Sequence, residues 1–293
     1  MEENVVAEPD ASLLNEADKW ILSRVNRLAK DVTENMDKFE LGIAVQKVYD
    51  FIWDEFCDWY VETAKYRIYH KEEEKAAADC VLWVLKTVLK QALKLLHPFM
   101  PFITEEIYSV LVPEEESLMM SEWPQFHAEW DFPAEENVME HVKEITRGIR
   151  NMRAEMNVPN NRKTKVYVVC EDTEICDGIS TLENSIKPLM MAEKILVQQT
   201  KENIADNAVS VVVPDAVVYL PLEDLVDFEQ EMERLQKEEE KLKKEIKRAE
   251  GMLSNERFIS KAPEAKVQEE REKLEKYTQM LQQVQERMAG LKK

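Results

Sequence analysis

Glycine is scarce in this sequence, with only 5 among 293 residues. So little of the residue that suits tight turns points to a mostly helical chain. Cysteine is scarce too. The four present, Cys57, Cys80, Cys170 and Cys176, form no CxxC pair, and the four histidines lie far apart. No zinc site or disulfide framework is legible in that spacing. No run of ~20 apolar residues occurs, so no membrane-spanning helix is expected. Residues 1–12 are polar and acidic and read as a lead-in or linker stub, with no secretory leader. The expectation is a cytoplasmic protein with reduced thiols.

Positive charge is in short supply overall, and the net charge of -20 argues against a general nucleic-acid coat protein. The deficit is uneven. From Leu225 to Lys293 there are 16 basic and 16 acidic residues, so the rest of the chain carries the whole acidic excess. Local patches therefore matter more than the total.

What is present is strong helical periodicity. Asn15 is an N-cap for a helix whose stripe is Ile21, Val25, Leu28, Val32 and Met36. A long helix from about Leu41 to Tyr69 follows, with an apolar arc of Leu41, Val45, Val48, Ile52, Phe56, Trp59, Thr63 and Tyr66. Tyr49, Trp53 and Tyr60 form its shoulder. Its width predicts the central pillar of a bundle. Asp54 and Asp58, with no His or Cys nearby, belong to the opposite, solvated face beside Lys47 and Lys65. Further helices are expected at 73–96, which His97-Pro98 terminates, at 101–112, and through Val138, Val142, Ile145, Ile149, Met152 and Met156.

After Asn157-Val158-Pro159 the period shifts. Residues 165–170, 194–198, 209–213 and 217–220 read as strands, with an amphipathic helix at 174–191 and a tight turn at Pro214-Asp215. From Leu225 it becomes a heptad in two arms, interrupted by Glu239 and Glu270 at core positions and separated by residues 254–263. Equal arms around a short break predict an antiparallel hairpin, with a parallel dimer as the alternative. The expected fold is mainly α: an antiparallel helical bundle (13–159), a small α+β junction module (160–222) and an antiparallel coiled-coil hairpin (223–293), after the lead-in of 1–12.

Several strings resemble the C-terminal part of the valyl-tRNA synthetases, which are class I aminoacyl-tRNA ligases. They are ADKWILSR (17–24), FIWDEFCDWY (51–60), LHPFMPFITEEIY (96–108), SEWP (121–124), RNMRAEMNVP (150–159) and NERFISKAPEAKV (255–267). The middle strings are shared with the isoleucyl and leucyl relatives. The last, on a heptad hairpin with no cysteine-rich tail, narrows the resemblance to valine. It implies an anticodon-binding bundle and a tRNA-binding coiled-coil arm, with tRNA(Val) as partner. No HIGH-like or KMSKS-like motif is present. The resemblance therefore implies a non-catalytic chain with no cofactor of its own, ATP and magnesium belonging to a catalytic half. The chain would be a monomer.

Three groups are the candidate RNA contacts; no catalytic or metal-ligating residue is expected. Trp20 lies off its helix's stripe beside Arg24 and Arg27, where a ring can stack an unpaired base, so its loss should scarcely affect stability. The resemblance places the anticodon bundle here. Lys143, Arg147, Arg150, Arg153, Arg162, Lys163 and Lys165 make a positive strip that can track phosphates. On the hairpin, residues 241–266 hold eight basic and four acidic side chains. There the resemblance implies that the arm reaches the outer corner of the tRNA through Lys244, Lys247, Arg248, Arg257, Phe258 and Lys261. The rival reading is a helical interaction protein that dimerises through its heptads and binds no RNA.

Overall fold

The computed structural model describes residues 8–225, 228–254 and 264–290. The chain divides into two compact units, one running to Leu222 and one from Glu223. The first is mostly helical with a four-stranded mixed sheet. Helix α1 (Glu16–Asp37) opens it on a capping box: the Asn15 side chain accepts from the Asp18 amide and Asp18 accepts from the Asn15 amide, each at 3.0 Å. Its predicted stripe is buried from Ile21 to Val32, but so are Asp18, Trp20, Leu22, Ser23 and Asn26. This helix is covered nearly all round, because α2 (Leu41–Asp50), α4 (Lys75–Leu96) and α6 (Pro133–Glu155) all pack against it. The central place expected of the 41–69 helix therefore falls to α1.

Residues 41–69 form one continuous helical path of three parts. Helix α2 (Leu41–Asp50) runs into a π-helical stretch (Phe51–Val61), which continues as α3 (Glu62–Tyr69). Bonding across five residues widens the turn, so the 100° wheel no longer predicts the inward face. The buried set is Ala44, Val48 and Phe51, then Phe56, Trp59, Tyr60, Thr63, Ala64 and Arg67. The step from Phe51 to Phe56 is five residues. Ile52 is accordingly only half-buried, while Tyr60, expected on the shoulder, is enclosed; Leu41, at the first position of α2, is exposed.

Helices α4 (Lys75–Leu96), α5 (Pro101–Leu111) and α6 (Pro133–Glu155) follow, the last two with proline in the first turn, where its missing N–H costs nothing. Polar side chains on α1 tie down the irregular connection before α6. Asn26 exchanges two 2.7 Å bonds with the His127 backbone, and Ser23 Oγ accepts from the Phe132 amide.

Strands β1 (Thr164–Cys170), β2 (Ala192–Gln198), β3 (Val209–Val213) and β4 (Ala216–Leu220) form a sheet in the order β2-β1-β4-β3. The β1–β2 pair is parallel and the other two are antiparallel. Alternate residues Val166, Val168 and Cys170, and Ala216, Val218 and Leu220, point into the core. The single helix expected at 174–191 is two, α7 (Thr173–Thr181) and α8 (Glu183–Met190), ending at Met191 in the left-handed region with φ 52°. Both pack on the sheet, α7 also on α6, and α8 on α3 and α6. The helices and the sheet thus lie within the first compact unit.

Two glycines show how closely these layers approach. A Cβ on Gly148 of α6 would lie 2.7 Å from a Val211 methyl on β3. On Gly178 of α7 it would lie 2.7 and 2.8 Å from the two Val138 methyls, and valine has few rotamers with which to yield. Gly178→Ala should therefore lose up to about 2 kcal/mol, overpacking of ~1–3 kcal/mol set against the ~1 kcal/mol helix gain. Gly42→Ala, which meets nothing within 4 Å, should lose no stability. Urea unfolding of the two variants checks the contrast.

In the second unit a short turn, α9 (Leu222–Leu225), precedes α10 (Phe228–Leu253) and α11 (Glu264–Gly290). These two helices pack along each other through Leu235, Leu242 and Val284, flanked by Tyr277 and Leu281. The two interrupting glutamates are satisfied locally. Glu239 pairs with Lys243 at 2.7 Å and accepts from the Gln285 amide at 2.8 Å; Glu270 pairs with Lys273 at 3.0 Å.

Candidate nucleic-acid interface

The first predicted group is rearranged by packing. Trp20 is 1% exposed, so it cannot stack a base as the fold stands. The face that the helical wheel leaves open is covered by α6, whose Lys143 places its ammonium 4.6 Å from the indole centroid. Arg24 makes a two-pronged pair with Glu55 at 2.7 Å in each arm and reaches Glu136 at 3.6 Å. The Glu55 hydrogen bonds raise the Arg24 pKa above its ordinary value. Arg27 pairs with Asp131 at 2.7 Å and Glu136 at 3.0 Å. Both guanidiniums border a cleft of about 160 Å³ with Lys47, Asp50, Phe51 and Glu55, and Lys47 is itself paired with Asp31. The charge there is balanced, not positive.

The second group divides. Lys143 is buried beneath Trp20, with Glu140 at 3.4 Å, and leaves the strip. Arg153 is buried as well, so it is no direct phosphate contact. Its Nη2 donates to the carbonyls of Pro159 at 3.0 Å and Arg162 at 2.6 Å. The outward residues are Arg147, Arg150, Lys163 and Lys165, with Arg162 half-buried. Arg147 and Arg150 each hold their guanidinium carbon 6.0 Å from the Trp59 centroid, and Arg147 is also held by Glu144 at 2.7 Å. Arg150 Nε donates to the Leu189 carbonyl at 3.2 Å. Trp59, read from the sequence only as core, is thus the aromatic floor under two arginines. Its place in the buried arc was legible; its guanidinium neighbours, about ninety residues away in sequence, were not.

In the second unit Lys244, Lys247 and Arg248 are exposed on α10, with Arg248 3.5 Å from Glu245. Arg257, Phe258 and Lys261 lie outside the described residues. Cysteine chemistry has no footing here: burial pushes the thiols of Cys80 and Cys176 up to about 11, far from thiolate at neutral pH. Among the described residues no His, Cys, Asp and Glu cluster is placed to hold a metal, and no helix is long and apolar enough to cross a membrane.

Residues 18–168, more than half of the chain, match the model of the anticodon-binding domain of tRNA ligase. The chain belongs to the family of tRNA-ligase anticodon-binding domains. Residues 227–292 match the valyl tRNA synthetase tRNA binding arm, so two tRNA-ligase domains stand in series. Among curated relatives, the valine–tRNA ligase of Clostridium perfringens is 50% identical over 275 residues, covering 94% of this chain and 31% of that protein. That of Clostridium tetani is 48% identical over 286 residues, 97% of this chain and 32% of the relative. The Bacillus subtilis enzyme is 39% identical over 279 residues, 94% and 31%. The match falls in the C-terminal region of these ligases. The chain spans about a third of the length of the relatives it matches.

Proposed function

We propose that this chain is the tRNA-recognising region of a valine–tRNA ligase, with tRNA(Val) as its partner. The observation that carries the reading is the order of the two family matches in one chain, an anticodon-binding domain followed by a tRNA-binding arm. The exposed cations on each unit supply the chemistry. In the first, Arg147, Arg150, Lys163 and Lys165 face outward and would follow phosphates. In the second, Lys244, Lys247 and Arg248 would do so along the arm. Handling of valine, ATP and magnesium belongs to the part of the ligase that this chain does not span.

The helices up to residue 159 act as the anticodon-binding bundle and the sheet module as its junction. The arm is an antiparallel coiled-coil hairpin. Glu239 touches Gln285. In a parallel pair at that register, residues 253 and 264 would sit about 50 Å apart at ~1.5 Å per residue. Eleven chain steps reach at most ~40 Å, so only the antiparallel arrangement closes within one chain. Such a hairpin satisfies its own seam, and the protein is a monomer, which sedimentation checks.

The direct test is tRNA affinity as a function of salt. Arg147→Glu combined with Lys163→Glu should weaken binding at least ~tenfold and flatten the log–log salt slope by roughly 2, one per lost phosphate contact. Lys244→Glu with Lys247→Glu should weaken different tRNAs alike. Slopes parallel to the unmodified chain would remove these faces from the interface, and equal affinity for all tRNAs at every salt would remove the valine assignment.

A further inference from the structure

His141 of α6 is held by one ring nitrogen and left open at the other. Its Nδ1 lies 2.9 Å from the Asn137 carbonyl. A carbonyl only accepts, so Nδ1 carries the proton of the neutral ring and Nε2 presents a bare lone pair. That lone pair is enclosed: the residue is 8% exposed, and Nε2 has no hydrogen-bond partner among the described residues. What it faces is a second acceptor. Asp215 Oδ2 stands 3.6 Å away, on the turn between β3 and β4. Two acceptors with no proton between them hold nothing together. A proton on Nε2 converts the same contact into a charge-assisted hydrogen bond, whose ordinary length is roughly 2.8 Å. The carboxylate can close that gap, since its side chain is 78% exposed while the imidazole is packed in place. The other part of the hairpin already rests on the same helix. Two turns along α6 from His141, Gly148 lies so close to β3 that a Cβ there would stand 2.7 Å from a Val211 methyl.

The surrounding charges favour the proton. Asn137 and Asp215 line a cleft of about 640 Å³ together with Glu171 and Asp172. Of the elements packed on α6, β3 has no charged side chain and α7 brings Glu174 and Asp177, both exposed. On α8, Lys187 is paired with Glu183. The α1 cations that reach α6, Lys19, Arg24 and Arg27, are met by Glu135 and Glu136. Within two turns of His141 on α6 itself, Lys143 and Arg147 are met by Glu140, and Arg147 also by Glu144.

We infer that His141 and Asp215 form a pH-sensitive latch: a proton on the buried Nε2 ties the β3–β4 turn to α6, and its loss releases the turn. Asp215 favours the imidazolium only in the folded chain, where the two are brought together. The contact therefore stabilises the fold in mild acid, and that contribution is lost as pH rises through the range, about 5 to 8, in which imidazoles give up their proton. Its closing draws in one wall of the cleft that Asn137 and Asp215 share. The latch does not depend on the tRNA reading, and every readout below is taken on the chain alone.

The experiment measures the melting temperature of the whole chain at pH 5.5 and at pH 8. The variant is Asp215→Asn, because asparagine tolerates the left-handed backbone of this position, φ 57°, as well as aspartate does. It should melt at least about 3 °C below the unmodified chain at pH 5.5. At pH 8 it should melt no lower, because the introduced amide can donate to the bare Nε2. In a His141→Gln background the same substitution should act equally at both pH values. Ring-nitrogen NMR of His141 adds a readout that a merely structural contact would not move. The proton should sit on Nδ1 alone at pH 8 and on both nitrogens at pH 5.5, and the step between them should fall to lower pH in Asp215→Asn. A ring protonated on Nε2 at pH 8 overturns the latch. So does an Asp215→Asn effect of one size at both pH values, or a pH-dependent effect that survives in His141→Gln.

Discussion

Replacing Asp18 with alanine is expected to cost about 3–5 kcal/mol, as for a buried ion pair that loses one member. Asp18 is fully enclosed and serves three partners at once. One carboxylate oxygen accepts from Tyr60 Oη at 2.7 Å and Arg67 Nη2 at 2.5 Å, while the other accepts the Asn15 amide at the start of α1. Truncation strands Arg67, which is nearly buried and already has an unpartnered Nε, and undoes the capping box in the same step. Tyr60→Phe should cost less, about 1.5–3 kcal/mol, because it removes one hydrogen bond to a charged group and leaves the ion pair. Tyr60 also sets a pH limit. Burial and then the Asp18 charge hold its phenol well above the ordinary 10.0. The folded state thus keeps a proton that the unfolded state releases above pH 10, and this contribution to stability is constant at neutrality and declines as pH rises past 10. Urea midpoints for the three proteins at pH 7, and for the unmodified chain at alkaline pH, test both statements. A loss under 1 kcal/mol in Asp18→Ala would mean that Arg67 finds another partner.

Trp20→Ala should be comparably severe, about 3–5 kcal/mol, the usual range for deleting a fully buried indole. The lost ring also leaves the Lys143 ammonium, itself nearly buried, with only Glu140 at 3.4 Å. Where the variant remains folded, its tRNA affinity should match that of the unmodified chain. A mild stability loss accompanied by a tenfold weaker complex would restore the base-stacking role read from the sequence.

These two residues show what one-dimensional reading captures. The element types, the caps and the apolar stripe of α1 follow from local rules: spacing, proline, and an Asn15–Asp18 box. What local rules cannot see is a second neighbour. Ser23 and Asn26 make the far side of α1 look solvated, yet they are consumed by the backbone around His127 and Phe132, which brings α6 down onto Trp20. The same blindness affected charge. Arg24 and Arg27 read as free cations because their carboxylates, Glu55, Glu136 and Asp131, come from distant segments, and Lys143 did because the Trp20 ring that covers it lies on another helix. Arg147 and Arg150 survived as outward cations because only one face of α6 is covered.

The wide-turned stretch in the 41–69 helix has a consequence for how the two ends of that helix relate. Ala44, Val48 and Phe51 keep one inward phase, and Phe56, Tyr60, Thr63 and Arg67 keep another that lags by a single residue. Phe51–Val61 acts as a phase shifter between them. Each end can then follow the groove of its own neighbours, α2 against α1 and α3 against α8, without either having to compromise on the angle at which it presents its side chains. A residue lost from the shifter would bring the two phases back into one and turn the second face, Arg67 with it, away from Asp18.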